Sequence, residues 1–471
     1  MHQINEIYIN GQFVTPHGAE LFDLFNPATA QPIGQVRLAD EQDAHAAIKA
    51  AKQAFPEFSR TPKATRVAHL KRMHAAVAGV EAELTQAIIE EYGAPVSRAV
   101  WMAKHAASVL LDAANVLQDY EFTRRIGIAE VIMQPLGVAG LITPWNSNAG
   151  FICGKLAAAL AAGCTAVIKP SEMSALQTSV VTRALHQAGL PAGVFNIVTG
   201  RGETVGAVLS THADIAKVSF TGSTAVGKHI LRAGAETLKR ITLELGGKSP
   251  VLVLDDADLV KAIPMALQAG FMNSGQACIA GTRILVPAHR LAEVERLIIK
   301  EVANIRAGDP QDPNTSVGPM VSLKQWQRVQ AYIQMGIEEG AHLLAGGPGL
   351  PDECKAGWFI KPTVFSRVTN QMTIAREEIF GPVLSVITYK DEAEALAIAN
   401  DTPYGLQAYI LSTDVKKAHT LASQIDAGRV LINTLAHEPR APFGGFKQSG
   451  IGREYGTFGL EAFLEPKSIL S

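Results

Sequence analysis

The chain has no apolar stretch long enough to cross a bilayer. Its longest, from about Leu156 to Ile168, is interrupted by Gly163 and falls short of the roughly 20 residues that a spanning helix needs. Basic blocks are missing too: 42 Lys and Arg against 44 Asp and Glu leave a net charge of −2. That balance disfavours a nucleic-acid or anionic-membrane partner. Cysteine is scarce, with only Cys153, Cys164, Cys278 and Cys354, and none of them forms a CxxC pair. A disulfide framework and a zinc site are therefore disfavoured, and a reducing cytoplasm fits. The start, Met1-His2-Gln3-Ile4-Asn5-Glu6, shows neither the basic nor the apolar region of a secretory signal. Repeats and low-complexity linkers are absent, as is the GxGxxG dinucleotide fingerprint.

What is present is bulk and alternation. With 471 residues, 47% hydrophobic and 18% charged, the chain is too long for one ordinary core and suggests two large domains. Helical spacing of apolar residues runs through Asp43–Phe55, Ala64–Tyr92 and Val96–Leu117, with Gly93 as a stop and Pro95 as a new start. Glu121 to Gln134 reads as a hairpin around Gly127. Strands then alternate with helices. Val138–Ile142, Thr165–Ile168, Phe195–Val198 and Val218–Phe220 read as strands, with helices over Phe151–Ala162 and Ala175–Ala188. A second alternating region begins near Ser249, with a strand at Ile284–Val286 and a helix over His289–Ile305. This pattern predicts an α/β protein of parallel sheets with crossover helices, and an active site in the cleft between two halves.

Two segments carry chemistry. Leu243-Glu244-Leu245-Gly246-Gly247-Lys248 precedes Phe271-Met272-Asn273-Ser274-Gly275-Gln276-Ala277-Cys278, with Glu244 and Cys278 34 residues apart. A lone cysteine is usually a small buried hydrophobe, and a lone glutamate can simply cap a strand end. Together, beside glycines that permit sharp turns, they suffice for a two-step acyl transfer. The thiol attacks a carbonyl, and the carboxylate activates the water that releases the acyl group.

The pair resembles the signature segments of the NAD(P)-dependent aldehyde dehydrogenase superfamily, of the hydrolytic, non-CoA-acylating type. Five further segments match in the family's order: Thr143–Asn146, Lys169–Glu172, Phe220–Ser223, Glu378–Pro382 and Pro442–Lys447. The resemblance covers the chain from about Tyr8 to its end. It implies a Rossmann-like cofactor domain over 1–118 and 137–246, interrupted by an oligomerisation hairpin at 119–136. A catalytic α/β domain over 247–448 and a C-terminal return over 449–471 would follow. The last strand, near Leu464–Leu470, would join a neighbouring subunit's sheet in a homodimer or homotetramer; a frayed terminus is the structural alternative.

For the cofactor, NAD with NADP possible, the resemblance puts the pyrophosphate at Gly222, Ser223 and the Trp145 indole. It puts the adenosine ribose at Lys169 and Glu172, the nicotinamide ribose on Glu378 and the ring against Phe380. Glu172 should repel a 2′-phosphate and favour NAD. For catalysis it implies Cys278 as a thiolate nucleophile, Asn146 with the Cys278 N–H as oxyanion donors, and Glu244 as the base. No metal is needed in this scheme. Lys155 and Glu454 match positions linked to a proton relay, though both could be ordinary ion pairs.

Ser147, Asn148 and Gly154 stand where relatives often carry larger groups, which predicts a wide, polar pocket. His437 and Arg440 could bind a distal polar or acidic group, or simply structure their loop. Two other classes share the fold: a coenzyme A-acylating dehydrogenase, which Glu244 disfavours, and a non-enzymatic binding protein, which the intact Cys278, Glu244 and Asn146 disfavour.

Overall fold

A computed structural model describes residues 1–471. Two large sheets organise the chain. The first has eight strands, in the order Gly450–Ile451, Arg240–Glu244, Ile215–Thr221, Val138–Ile142, Thr165–Lys169, Phe195–Ile197, Ile7–Ile9, Gln12–Val14. Its five central strands are parallel. After the edge strands Ile7–Ile9 and Gln12–Val14, the parallel part starts at Val138–Ile142, builds outward to one side, then returns to build on the other. The point where the order reverses lies between Val138–Ile142 and Ile215–Thr221, and open α/β sheets bind ligands at such a point, beyond the strands' carboxyl ends. The segments after these two strands are Thr143–Asn146 and Gly222–Ser223, so topology alone brings two of the predicted motifs together.

The second sheet has seven strands: His342–Ala345, Thr363–Ser366, Val383–Tyr389, Arg283–Pro287, Pro250–Val253, Gln407–Leu411, Arg429–Ile432. All neighbours are parallel except the first pair. Its two faces are covered by separate apolar clusters, which is why its strands read as continuous apolar runs. The α/β class read from the sequence is therefore borne out.

The helices follow their local chemistry. Asp40 caps Glu41–Phe58 through a capping box with Asp43. The helix Asn148–Ala162 is apolar all round because it is buried all round, with Ile152, Leu156, Ala157 and Ala159 at 0% exposure. It packs in one core with Lys63–Ala78 and Val96–Asp119. The single helix expected over Ala64–Tyr92 is instead three pieces: Lys63–Ala78, Glu81–Ala87 and a wide turn over Ile88–Tyr92. Gly79-Val80 breaks it, and Gly93, at φ 77°, ends it. The helix expected over Phe151–Ala162 begins earlier, at Asn148, which moves Asn148 from a loop into a first helical turn.

The hairpin forms as Thr123–Ile126 and Ala129–Pro135. The terminal strand Leu464–Leu470 forms where expected and extends the hairpin into a three-stranded sheet. It pairs antiparallel with Ala129–Pro135 of its own chain, residue for residue from Leu464↔Pro135 to Leu470↔Ala129. Seven unbroken pairs satisfy one side of its backbone and leave its other edge open. No helix is long and apolar enough to cross a membrane.

Candidate active site

Glycines bring the scattered motifs into one place. Glu244 ends the strand Arg240–Glu244, and Gly246-Gly247 follow at once. A Cβ at Gly246 would overlap the Glu378 carboxylate, and one at Gly247 would overlap the Cys278 carbonyl. A Cβ at Gly275 would overlap the Gly381 backbone, and one at Gly444 would crowd Glu244 Oε1 at 2.7 Å. Segments far apart in sequence thus meet backbone to backbone, and side chains at these positions would hold them apart.

The cysteine loop is strained and braced. After the helix Leu259–Phe271, Asn273, Ser274 and Gly275 all take positive φ, at 54°, 58° and 71°. The two non-glycine residues cost about 1–3 kcal/mol each. Offsetting bonds surround them. Ser274 Oγ accepts from Gly318 N at 2.8 Å. The Gln276 amide donates to Pro319 O at 3.2 Å and accepts from Val321 N at 3.0 Å. Asn146 Nδ2 donates to Gln276 O at 2.9 Å, which fixes its amide two residues before Cys278. The Cys278 N–H makes no bond to a neighbouring carbonyl. Asn146 and Cys278 line the same cleft.

Burial governs the charges. It pushes the Cys278 thiol up to about 12, with Glu378 and Glu244 adding to the shift. Burial thus favours the thiol at rest, and the thiolate that the resemblance implies has to form as the reaction begins. Glu244 is only 2% exposed, and both its oxygens lack a partner. Burial raises it well above the usual carboxylate range, Glu454 raises it further, and Lys155 and Arg453 pull the other way. It sits behind the cleft wall rather than on it. Lys155 contacts Glu454 directly and donates to Ser219 Oγ at 2.9 Å, and Ser219 Oγ donates to Glu454 Oε1 at 3.1 Å. The pair the sequence singled out is a buried ion pair facing Glu244.

The residues assigned to the cofactor gather at the switch point. Lys169 ends its strand and pairs with Glu172 at 3.2 Å. Burial opposes ionisation of Glu172, but Lys169, its own backbone N–H and Arg201 outweigh burial and hold the carboxyl below its ordinary value. Arg201 reaches Glu172 at 3.5 Å, a contact the sequence reading missed. Ser223 caps the eleven-residue helix Thr224–Gly234, beside Gly222. Glu378 accepts from Gly247 N at 3.0 Å, and burial raises it to about 7. Phe380, itself at φ 62°, meets Trp145 edge-on at 5.4 Å. This donor set fits a dinucleotide: an ionised carboxylate for vicinal hydroxyls and a capped helix N-terminus for phosphates.

The cleft holds about 890 Å³. Of the three positions expected to widen it, only Ser147 lines it. Asn148 is 0% exposed and bonds Thr143 Oγ1 and Thr178 Oγ1 at 2.9 and 2.8 Å. Its early place in the helix turns it inward. Gly154, two turns along, opens onto a separate cavity of about 50 Å³ beside Val109, Lys155 and Glu454. Of the two candidate distal residues, His437 lines the cleft, while Arg440 points outward and pairs with Glu438 at 3.1 Å.

Arg98, Trp101, His105 and Arg429 line the cleft and were not foreseen. The first three share one helix face at three- and four-residue spacing, a signal that was available. Arg429 carried none, since an arginine opening a strand usually faces water.

Residues 13–469 match the aldehyde dehydrogenase family. The chain is 44% identical over 472 residues to 3-succinoylsemialdehyde-pyridine dehydrogenase of a Pseudomonas species, across 100% of this chain and 99% of that one. It is 44% identical to a putative aldehyde dehydrogenase of Staphylococcus aureus, with the same coverage. The fold superposes with a TM-score of 0.98 on a Cys-to-Ala mutant of aldehyde dehydrogenase C from Pseudomonas syringae, complexed with NAD+ and octanal. Identity there is 44%, over 99% of this chain and 96% of that one. The NAD+ complex of aldehyde dehydrogenase from Bacillus cereus gives 0.96 at 39% identity, over 99% and 96%.

Proposed function

The chain belongs to the aldehyde dehydrogenase family and is an NAD-dependent aldehyde dehydrogenase; from that premise we propose that Cys278 is its nucleophile, Asn146 an oxyanion donor and Glu244 the base that frees a carboxylic acid. The observation that carries this reading is the shared cleft of Cys278 and Asn146, with the partnerless Glu244 carboxyl within electrostatic reach of the thiol. Bound NAD supplies the hydride acceptor. Lys169 and Glu172 would hold its adenosine ribose, Gly222, Ser223 and Trp145 its pyrophosphate, and Glu378 and Phe380 its nicotinamide half.

Cys278 gives its proton to water in the open cleft as its sulfur bonds the aldehyde carbon. The oxyanion then receives the Asn146 amide N–H and the Cys278 N–H, fixed donors in a site shielded from water. Once the thioester exists, Glu244 takes a proton from water as its oxygen attacks, and the thiol departs. Glu244 can act only when ionised, and the Lys155–Glu454 pair at its back offers a route for the proton it collects.

The 890 Å³ cleft is large for a two-carbon aldehyde. Each methylene that fills it gains about 0.8 kcal/mol, so kcat/KM should rise from acetaldehyde to medium-chain or aromatic aldehydes. Octanal in the Pseudomonas syringae structure supports the longer substrates. The domains divide at the boundaries given above, and four free cysteines fit a reducing cytoplasm. Ile126, Ile128 and Leu470 stand 65%, 71% and 66% exposed on the three-stranded sheet, which supports a homodimer or homotetramer that covers them. In the absence of coenzyme A, each NADH formed should be matched by one free carboxylic acid. A strict requirement for coenzyme A would overturn the role given to Glu244.

A further inference from the structure

Resting on the reading that the aldehyde carbon meets Cys278, we infer that the wall of this cleft carries a carboxylate subsite, and that the preferred substrates are aldehydes with a carboxylate at their other end. The cleft is lined by two arginines, Arg98 and Arg429, against one carboxylate, Glu301. Neither arginine pairs with an acid. Arg429 Nε donates to Gln407 Oε1 at 2.7 Å and Nη1 to His437 Nδ1 at 2.9 Å, and its guanidinium lies 5.0 Å over the Phe443 ring. All three partners are uncharged or apolar, and Nη2 is left to the cleft. Arg98 stacks 4.1 Å over Trp101, and its buried Nε has no partner.

His437 adds a directed donor. Arginine only donates, so Nδ1 of His437 accepts and the ring proton sits on Nε2. That Nε2 is buried without a partner. Burial and the Arg429 charge push His437 down to about 4, so the ring stays neutral at pH 7 and keeps this tautomer. A half-buried cation beside an unused N–H is costly unless an anion offsets it. A ligand carboxylate would pair with Arg429, and His437 Nε2 would add its N–H once the ring turns toward the cleft.

The subsite is also fixed in place. Gln407 Nε2 donates to Tyr409 OH, and Tyr409 OH donates to Ile279 O at 2.9 Å, one residue past Cys278. Arg429 is therefore tied through Gln407 and Tyr409 to the nucleophile's own loop. A fixed spacing between thiol and guanidinium should select for chain length as well as charge.

Matched pairs test this: glutarate semialdehyde against pentanal, and adipate semialdehyde against hexanal. The charged member should lead in kcat/KM by roughly tenfold or more, the scale of a charge-assisted hydrogen bond. Arg429→Gln should cut that ratio by a similar factor, and Arg429→Lys should restore only part of it, since a point charge cannot keep the Gln407 and His437 bonds while also meeting a ligand. Without cofactor, adipate should raise the Tm of the parent enzyme and leave that of Arg429→Gln unmoved. Neutral aldehydes turned over equally well or better would overturn the subsite while leaving the Cys278 chemistry standing. Equal losses on both members in Arg429→Gln would also overturn it, assigning Arg429 to the thiol or the fold. No turnover of any aldehyde would remove the underlying reading itself.

Discussion

Replacing Glu244 with Gln separates the two halves of the reaction. The change is nearly isosteric, and the carboxyl it replaces is 2% exposed with both oxygens unpartnered. Burial raises that carboxyl well above its ordinary range and so disfavours its charge; the neutral amide suits the same buried place and should leave Tm and cofactor affinity close to the parent's. What disappears is the ability to take a proton from water. Loss of a general base costs roughly 10²–10⁴ in rate, or about 2.7–5.4 kcal/mol at 1.36 kcal/mol per tenfold. Acylation does not use Glu244 as its oxyanion donor, so the variant should release NADH in a nearly stoichiometric burst before a slow steady rate. The parent's hydrolytic step should also lose rate as pH falls, and should begin to do so above the ordinary carboxylate range, because burial raises the pKa of the base. Stopped-flow traces of NADH formation read both. A variant that shows no burst, with its first turnover as slow as its steady state, would refute the division of labour.

Much of this was legible in the sequence, for identifiable reasons. Apolar runs at strand length alternating with helical spacing gave both sheets, because parallel strands are buried on both faces and cannot hide their composition. The seven motifs marked the active site because its close packing demands glycine at Gly246, Gly247 and Gly275, where a Cβ would strike backbone or carboxylate. What stayed hidden depended on direction and environment. Asn148 and Gly154 looked like pocket residues until the helix start at Asn148 fixed which turn faced inward. Arg440 and Arg429 are alike as letters, yet one is solvated and the other lines the cleft. The raised pKa of Cys278 and of Glu244 follows from burial by residues far away in the chain. The pairing partner of Leu464–Leu470 is likewise a long-range choice that strand propensity does not encode.

Asn146→Ala should slow acylation by about 10²–10³, the usual loss for one oxyanion donor, and single-turnover NADH traces should show the first turnover itself slowed, with no burst. Glu172→Gln should narrow the preference for NAD over NADP, since Lys169 and Arg201 would then face the added phosphate without a carboxylate between them; an unmodified enzyme that favours NADP in kcat/KM would contradict the assignment. The last expectation concerns the thiol. Burial raises the Cys278 thiol, and the Glu378 and Glu244 charges raise it further, so the thiolate is disfavoured while they are ionised. With Cys278 pushed up to about 12, its thiolate fraction in the cofactor-free enzyme should grow roughly tenfold per pH unit across the neutral and mildly alkaline range. Iodoacetamide labelling of Cys278, followed by peptide mass spectrometry to set aside the partly exposed Cys354, measures that fraction directly. Labelling that climbs without a plateau up to about pH 10 agrees with a nucleophile held neutral by burial. A plateau beginning near the ordinary cysteine value of about 8.5 would mean that burial does not perturb the thiol, and the resting state described above would be wrong.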